Sequence, residues 1–140
     1  MKVAGLDVWV AEVEDRAGAL GEKLSALAAA GVNLEFMISQ RGPDVGTAPV
    51  RVFVAPIKGA KRVQAAQAAG FQKAENVFTL RVQGTDKKGL LAAMTGALGA
   101  AGINLRGATA TVAGRQSITY MAVAGAEEAK KAVKILKAVK

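Results

Sequence analysis

Two absences in the composition limit the chemistry that this chain's side chains can perform. The 140 residues include no cysteine and no histidine, so thiolate nucleophiles, imidazole bases and the usual zinc ligands are excluded. Serine, threonine, lysine and carboxylate side chains remain, but no motif pairs a nucleophile with a base, and no glycine-rich phosphate-binding loop is present. The sequence therefore predicts a protein that is not an enzyme, with no catalytic residues, no metal and no cofactor.

The residues best suited to binding a small molecule occur twice, at a constant spacing. The segment Asp15–Leu34 returns 71 positions later as Asp86–Leu105, with ten identities in twenty aligned residues. A high alanine content accounts for some of these matches, but not for an acid, two glycines and an asparagine at constant offsets. The sequence therefore predicts an internal duplication.

Each copy carries groups that match the polar parts of an amino acid. A helix N-terminus offers N–H groups and partial positive charge to a carboxylate, and a glycine there lets the ligand come close to the backbone. An aspartate can form an ion pair with the ammonium, and an asparagine supplies a carbonyl and an amide group without adding charge. The candidate ligand-binding residues are Asp15, Arg16, Ala17, Gly18, Ala19, Leu20, Asn33 and Leu34 in the first copy and Asp86, Lys87, Lys88, Gly89, Leu90, Leu91, Asn104 and Leu105 in the second.

The same residues also have purely structural interpretations, which the sequence leaves open. Asp15 and Asp86 can cap the start of a helix, and the glycines three residues later can serve packing alone. The asparagines follow a glycine that ends a helix, where a side chain that satisfies a turn is common. Trp9 is predicted to lie in the core.

Hydrophobic periodicity predicts which elements carry these residues. In both halves it predicts the order strand, helix, strand, strand, helix. The predicted domains are 1–70 and 71–140, each an α+β ferredoxin-like βαββαβ sandwich with an antiparallel sheet and helices on one face. A fourth strand is predicted at Phe71–Glu75, with no equivalent in the second half, and a turn at Arg41–Thr47. The other predicted elements are strands at Leu6–Val13, Val32–Ser39, Val50–Ala55, Phe78–Val82, Ile103–Val112 and Ser117–Val123, helices that end at Gly31 and Gly102, and helices at Ala60–Ala69 and Ala126–Ala138.

The first predicted strand is apolar on both faces. Trp9, Ala11 and Val13 are expected to face the helices. The other face is apolar too, with Leu6, Val8 and Val10. This pattern predicts that another subunit covers the sheet.

The duplicated motif carries a resemblance to a known family. An acid, two residues and a glycine, then an Ala/Leu-rich helix and Gly-Val/Ile-Asn-Leu, occur as Asp15–Gly18 with Gly31–Leu34 and as Asp86–Gly89 with Gly102–Leu105. This arrangement resembles the signature of ACT domains. Both copies together span most of the chain, which is therefore similar to a free-standing tandem ACT protein.

The resemblance implies a regulatory protein that senses a small molecule, typically an amino acid. The ligand would sit where one unit's turn meets its neighbour's second strand, and binding would act through assembly, with a homodimer expected, or through a regulated enzyme or transcription factor. The sequence departs from the family pattern at Ala17 and Lys88, where ACT domains often carry a proline before the glycine.

The net charge of +8 supports one alternative function. RNA-recognition domains share the βαββαβ order and bind bases on aromatic side chains. The chain has only four Phe, one Tyr and one Trp, however, and its last helix carries lysines in the pattern of a solvated face, so nucleic acid is the weaker expectation. No apolar run reaches the roughly 20 residues of a membrane span and no signal peptide is visible, which predicts a cytoplasmic protein without a membrane partner.

Overall fold

The computed structural model describes residues 1–41 and 49–140. Within those residues the chain forms eight strands and four helices, in two separate sheets. The elements are β1 (Lys2–Leu6), β2 (Trp9–Val13), α1 (Ala19–Ala29), β3 (Phe36–Gln40), β4 (Val50–Ala55), α2 (Ala60–Ala68), β5 (Gln72–Lys73), β6 (Phe78–Thr85), α3 (Leu90–Ala100), β7 (Gly107–Ala113), β8 (Gln116–Val123) and α4 (Ala126–Ala138).

One compact unit, called the inserted unit, comprises Asp7–Ala74. Its sheet has the order β3-β4-β2-β5 with antiparallel pairing throughout, so it contains a complete βαββαβ succession. The inward face of β2 is buried as the alternation predicts, with Trp9 7%, Ala11 3% and Val13 5% exposed. Leu27 of α1 packs against this face, and the placement of Trp9 in the core is confirmed.

The other compact unit, called the outer unit, comprises Met1–Leu6 and Glu75–Lys140. Its sheet has the order β1-β6-β8-β7, also antiparallel. The core contains Val82 of β6, Met94 and Leu98 of α3, and Leu136 of α4, all fully buried. The predicted fold class, two ferredoxin-like sandwiches with antiparallel sheets, is confirmed.

The prediction of a single strand at Leu6–Val13 is wrong. The chain breaks at Asp7 and Val8 into β1 and β2, which belong to different sheets. Because β1 pairs with β6 from Lys2↔Gln83 to Leu6↔Thr79, it fills the edge of the outer sheet for which the sequence offered no strand. The covering subunit was inferred from that single strand, and that inference therefore loses its basis.

The compact units differ from the predicted domains for the same reason. Residues 1–6 add the edge strand β1 to the sheet of the outer unit. Residues 71–74 add the edge strand β5 to the sheet of the inserted unit. The inserted unit thus lies, in sequence, between the two parts of the outer unit. No helix among the described residues is long and apolar enough to cross a membrane.

The remaining element predictions hold with shifted boundaries. The strand at Val50–Ala55 and the helix at Ala126–Ala138 have the predicted bounds, whereas β3 and β7 begin about four residues later than predicted. The predicted turn at Arg41–Thr47 falls on residues 42–47 outside the described part, and so does the extra length of that hairpin.

Candidate functional site

The two helices of the duplicated motif begin at a glycine in the left-handed conformation. Gly18 (φ 85°) precedes α1 and Gly89 (φ 80°) precedes α3. A Cβ placed on either glycine would have no neighbouring atom within 4 Å, so the backbone there is open to approach. In both turns the first helical N–H donates back to the turn, from Ala19 to the Arg16 carbonyl (3.3 Å) and from Leu90 to the Lys87 carbonyl (3.2 Å).

The alternative interpretation of Asp15 and Asp86 as helix caps does not hold. Glycine occupies both N-cap positions, and no side chain in the described residues hydrogen-bonds to either helix start. The chain reaches the left-handed glycine three residues after each aspartate, which moves the carboxylate away from the first turn. The first-turn N–H groups are therefore not covered by a capping side chain. Binding of an anion at a helix start requires this absence of a cap.

Ion pairs connect the side chains at the turn of the inserted unit. Arg16 Nε donates to Glu14 Oε2 and its Nη2 donates to Glu22 Oε2, both at 2.7 Å. The hydrogen bond from Arg16, together with its charge, lowers the pKa of Glu22, and the same pairing raises the pKa of Arg16. All three side chains are exposed, so this network fixes conformation more than it adds stability.

A second ion pair reaches this turn from the end of β3. Arg41 Nη2 donates to Asp15 Oδ1 at 3.0 Å, so this aspartate already has a cationic partner. Beside the turn lies an open groove of about 400 Å³, large enough for an amino acid. It is lined by Glu12, Val13, Glu14, Arg16, Ala19, Glu22, Lys23, Ala26 and Ala69.

The turn of the outer unit has the same backbone and a different charge. Lys87 and Lys88 are exposed, and no acid in the described part of the chain pairs with either. The backbone N–H of Asp86 donates to the Arg115 carbonyl at 2.8 Å, which ties the β7–β8 hairpin to this turn. The outer turn thus carries two exposed lysines where the turn of the inserted unit carries an ion-paired arginine.

The predicted asparagines lie far from the turn of their own unit. Asn33 and Asn104 are exposed and follow Gly31 and Gly102, which end the helices with positive φ as predicted. Since each helix has 11 residues at about 1.5 Å per residue, roughly 16 Å separate its two ends. One unit therefore does not bring its turn and its asparagine to the same small ligand.

The other candidate residues divide between core and surface. Leu90 and Ala19 are buried in their cores, and Leu20, Leu34 and Leu105 are partly buried against them. Leu91, 48% exposed, and Ala17 lie at the surface.

Sequence reasoning missed several polar residues that surround the turns. Lys23 Nζ donates to the Ala69 carbonyl at 2.7 Å and lines the groove with Glu22. Arg16 and Glu22 are six residues apart and a turn lies between them. Their spacing therefore does not match the three or four residues that separate ion pairs within a helix. Arg115 lies in a hairpin whose contact with Asp86 depends on the tertiary fold.

Comparison with known proteins places this geometry in context. Residues 78–140 match the ACT domain family. No curated protein matches the chain significantly.

Several solved structures share the fold over nearly the whole chain. A protein from Bacteroides thetaiotaomicron superposes with TM-score 0.79 and 14% identity, covering 96% of this chain and 88% of that one. The ligand-free regulatory subunit of aspartate kinase from Thermus thermophilus gives TM-score 0.65 and 16% identity, covering 98% and 96%. Aspartate kinase from Clostridium acetobutylicum gives 0.63 and 19%, covering 96% of this chain and 33% of the enzyme.

These comparisons agree with the duplicated turn motif and the paired sandwiches. The resemblance to ACT domains is confirmed. Residues 78–140 carry the match to the ACT domain family, and the inserted unit repeats their order of strands and helices.

Proposed function

We propose that this chain is a non-enzymatic regulatory protein that binds an amino acid at its helix-start turns. The observation that carries the proposal is the pair of left-handed glycines, Gly18 and Gly89, at uncapped helix starts in an ACT-type fold. Uncapped first-turn N–H groups and the helix dipole attract a carboxylate, which every amino acid carries.

The structural neighbours support a regulatory role. The Thermus thermophilus protein is a regulatory subunit of aspartate kinase, and its length matches that of this chain almost completely. The Clostridium acetobutylicum neighbour is an allosteric enzyme, of which this chain spans only a third. A chain of this size corresponds to the regulatory portion of such a protein, which supports a role in regulating an enzyme or its own assembly.

The ion-paired turn of the inserted unit is the better candidate for a zwitterionic ligand. Arg16 offers a guanidinium, Glu14 and Glu22 offer carboxylates, and the groove of about 400 Å³ adjoins them. A ligand carboxylate and ammonium can replace one partner each in this exposed network, because exposed ion pairs exchange at little cost. A ligand that binds only the folded or assembled state stabilises that state by mass action.

Thermal unfolding in the presence of each of the twenty amino acids tests the proposal. One or a few amino acids are expected to raise Tm in a concentration-dependent way. Gly18→Ala and Gly89→Ala are the informative variants, because each added Cβ meets no protein atom. The left-handed backbone costs each variant about 1–2 kcal/mol in the free protein, and a ligand seated on the turn adds a steric penalty that free protein lacks.

Gly21→Ala and Gly96→Ala are the matched controls. Both glycines lie inside helices with open space around the added methyl group, and neither has positive φ. The controls should keep the ligand response, while at least one turn variant loses it. An unchanged ligand affinity in both turn variants would exclude the turns as the binding site.

A further inference from the structure

One cation in the groove beside the inserted turn has no acidic partner among the described residues. Lys23 lines this groove, and none of the described acids forms an ion pair with it. Its Nζ donates to the Ala69 carbonyl at 2.7 Å. An ammonium group has three N–H donors, so this bond leaves two of them for a further partner.

The end of α2 fixes the position of the Lys23 ammonium. Ala69 follows the last turn of α2, which contains no basic residue of its own. The carbonyl groups at a helix C-terminus carry partial negative charge and attract a cation. Gly70 lies directly beside the ammonium, since a Cβ added there would be 3.3 Å from Lys23 Nζ. The ammonium is therefore positioned before any ligand binds, which lowers the entropy cost of binding.

The other charges of the groove leave Lys23 as its binding position for a second anion. Arg16 is bonded to both Glu14 and Glu22, so this network is already satisfied internally. Glu12 lies on the face of β2 opposite to the buried Val13, because side chains alternate along a strand, and its carboxylate points away from α1. Arg16, its two acids and Lys23 are neutral in sum, and the start of α1 adds a partial positive charge.

The start of α1 and Lys23 are spaced like the two carboxylates of an acidic amino acid. Ala19, the first residue of α1, lies four residues before Lys23, which is roughly 6 Å along the helix axis. Both residues line the groove. The helix start attracts one carboxylate and the Lys23 ammonium attracts the other, over a separation that aspartate or glutamate can span.

The outer unit provides an internal comparison, because it lacks this arrangement. At the constant spacing of 71 residues, Lys23 corresponds to Met94 and Glu22 corresponds to Ala93. Met94 is fully buried in the outer core and carries no charge. At these two positions, an acid and a cation therefore lie beside the helix start in the inserted unit and not in the outer unit.

We propose that the groove of the inserted unit binds an acidic amino acid, aspartate or glutamate, and that Lys23 determines this specificity. The α-carboxylate lies at the start of α1, the ammonium pairs with Glu22, and the side-chain carboxylate accepts hydrogen bonds from Lys23 Nζ. A carboxamide in the same place has no negative charge to pair with Lys23. This inference rests on the proposed function, because it names the ligand class of the site proposed there.

Isothermal titration calorimetry of the full chain tests the inference with pairs of ligands of nearly equal size. Aspartate is compared with asparagine, and glutamate with glutamine. We expect one of the two acids to bind roughly tenfold more tightly than its amide, since the extra charge meets a preorganised cation. This preference should weaken as salt is added, because salt screens the charge of an open groove.

Lys23→Met places at residue 23 the side chain that the outer unit carries at the corresponding position. It should weaken binding of the acid by roughly tenfold and leave binding of the amide nearly unchanged, so that the ratio of the two affinities approaches one. Loss of structure alone would weaken both ligands alike. Lys23→Arg keeps the charge and should keep the preference for the acid.

The matched control is Lys61→Met, which removes the same charge from an exposed position at the opposite end of α2. This variant should keep the wild-type ratio of affinities. Thermal unfolding without ligand shows whether each variant folds. The comparison of acid and amide on the wild-type chain needs no variant, so it decides the inference even if Lys23→Met does not fold.

Several results would overturn the inference while the proposed function stands. These are tighter binding of a neutral or basic amino acid than of either acid, and an acid-to-amide ratio that Lys23→Met leaves unchanged. Succinate or glutarate binding as tightly as the amino acids would assign the groove to dicarboxylates without an amino group, and would contradict the inference too. If no amino acid binds at all, the proposed function itself fails, so the two failures are distinguishable.

Discussion

The two helix-start turns share a backbone and differ in charge. At Glu14–Gly18 the basic side chain Arg16 is held by two carboxylates, whereas Lys87 and Lys88 of the second turn have no acidic partner among the described residues. Both glycines nevertheless have φ between 80° and 85°. The comparison shows that the duplicated motif specifies the path of the chain, while the residues between its fixed positions set the electrostatics.

The same difference extends to the whole units. Residues 7–74 contain eight Lys and Arg against seven Asp and Glu, and the outer unit contains eleven against four. Nearly all of the net charge of +8 therefore lies on the outer unit. The net charge of the whole chain therefore conceals the difference between one nearly neutral unit and one strongly basic unit.

Removal of residues 2–6 should produce the largest difference between the units. The outer sheet loses β1 and the packing of Val3 against its core, whereas the inserted sheet keeps all four strands. We expect a loss on the order of 3–5 kcal/mol confined to the outer unit. Hydrogen exchange by residue measures it, and equal loss of protection in residues 9–73 would contradict the assignment of β1.

Substitution of matched core leucines should cost somewhat less. Leu27 and Leu98 occupy equivalent helix positions and are 1% and 0% exposed. Leu27→Ala and Leu98→Ala should each lower the free energy of unfolding by about 3 kcal/mol through a cavity. Denaturant unfolding with probes in each unit would show whether each change acts on its own unit, and a single shared transition in both variants would show strong coupling.

Gly96→Ala should stabilise the outer unit modestly. Gly96 lies in the middle of α3 with open space around the added methyl group, so the gain in helix propensity, about 0.5–1 kcal/mol, meets no steric cost. Gly21→Ala, in the first turn of α1, should give less. Thermal unfolding of both variants measures the difference, and destabilisation by Gly96→Ala would indicate a contact that the added methyl disturbs.

The smallest expected effect is the pH response of the ion-paired turn. The hydrogen bond from Arg16 lowers the pKa of Glu22 in the folded state, so its contribution to stability is present above the ordinary carboxyl pKa and is lost as pH falls through the lowered value. Carboxyl NMR titration should find Glu22 below its usual range, returning toward it in Arg16→Gln. An unshifted Glu22 in the wild-type chain would mean that the ion pair is not formed in solution.

The sequence was sufficient for the parts of the fold that depend on local pattern. Alternation in Trp9–Val13 identified a buried strand face, and Gly31 and Gly102 ended both helices as predicted. The break at Asp7 was missed because alternation continues through it and nothing local tells which sheet a strand will join. Pairing of β1 with β6 depends on an open edge more than 70 residues away in the chain.

The candidate site was only partly accessible from sequence for a related reason. The turn glycines were identified by their spacing, but the ion pairs of Arg16 and Arg41 and the contact of Asp86 with Arg115 join residues that approach only in three dimensions. The alternative interpretation of the two aspartates as helix caps failed because the three residues after each aspartate form a turn of their own. Which residues bind a ligand remains a prediction for the turn variants to test.

The position of β1 has a consequence for folding during synthesis. The inserted unit has all four of its strands once residue 73 has left the ribosome, and it can fold then as a unit. Residues 2–6 emerge before it but have no edge to pair with until β6 and its neighbours follow. Strand β1 is therefore synthesised first but stays unpaired and exposed until the later strands of the outer sheet have been made. A chaperone that shields β1 during this time would favour correct assembly.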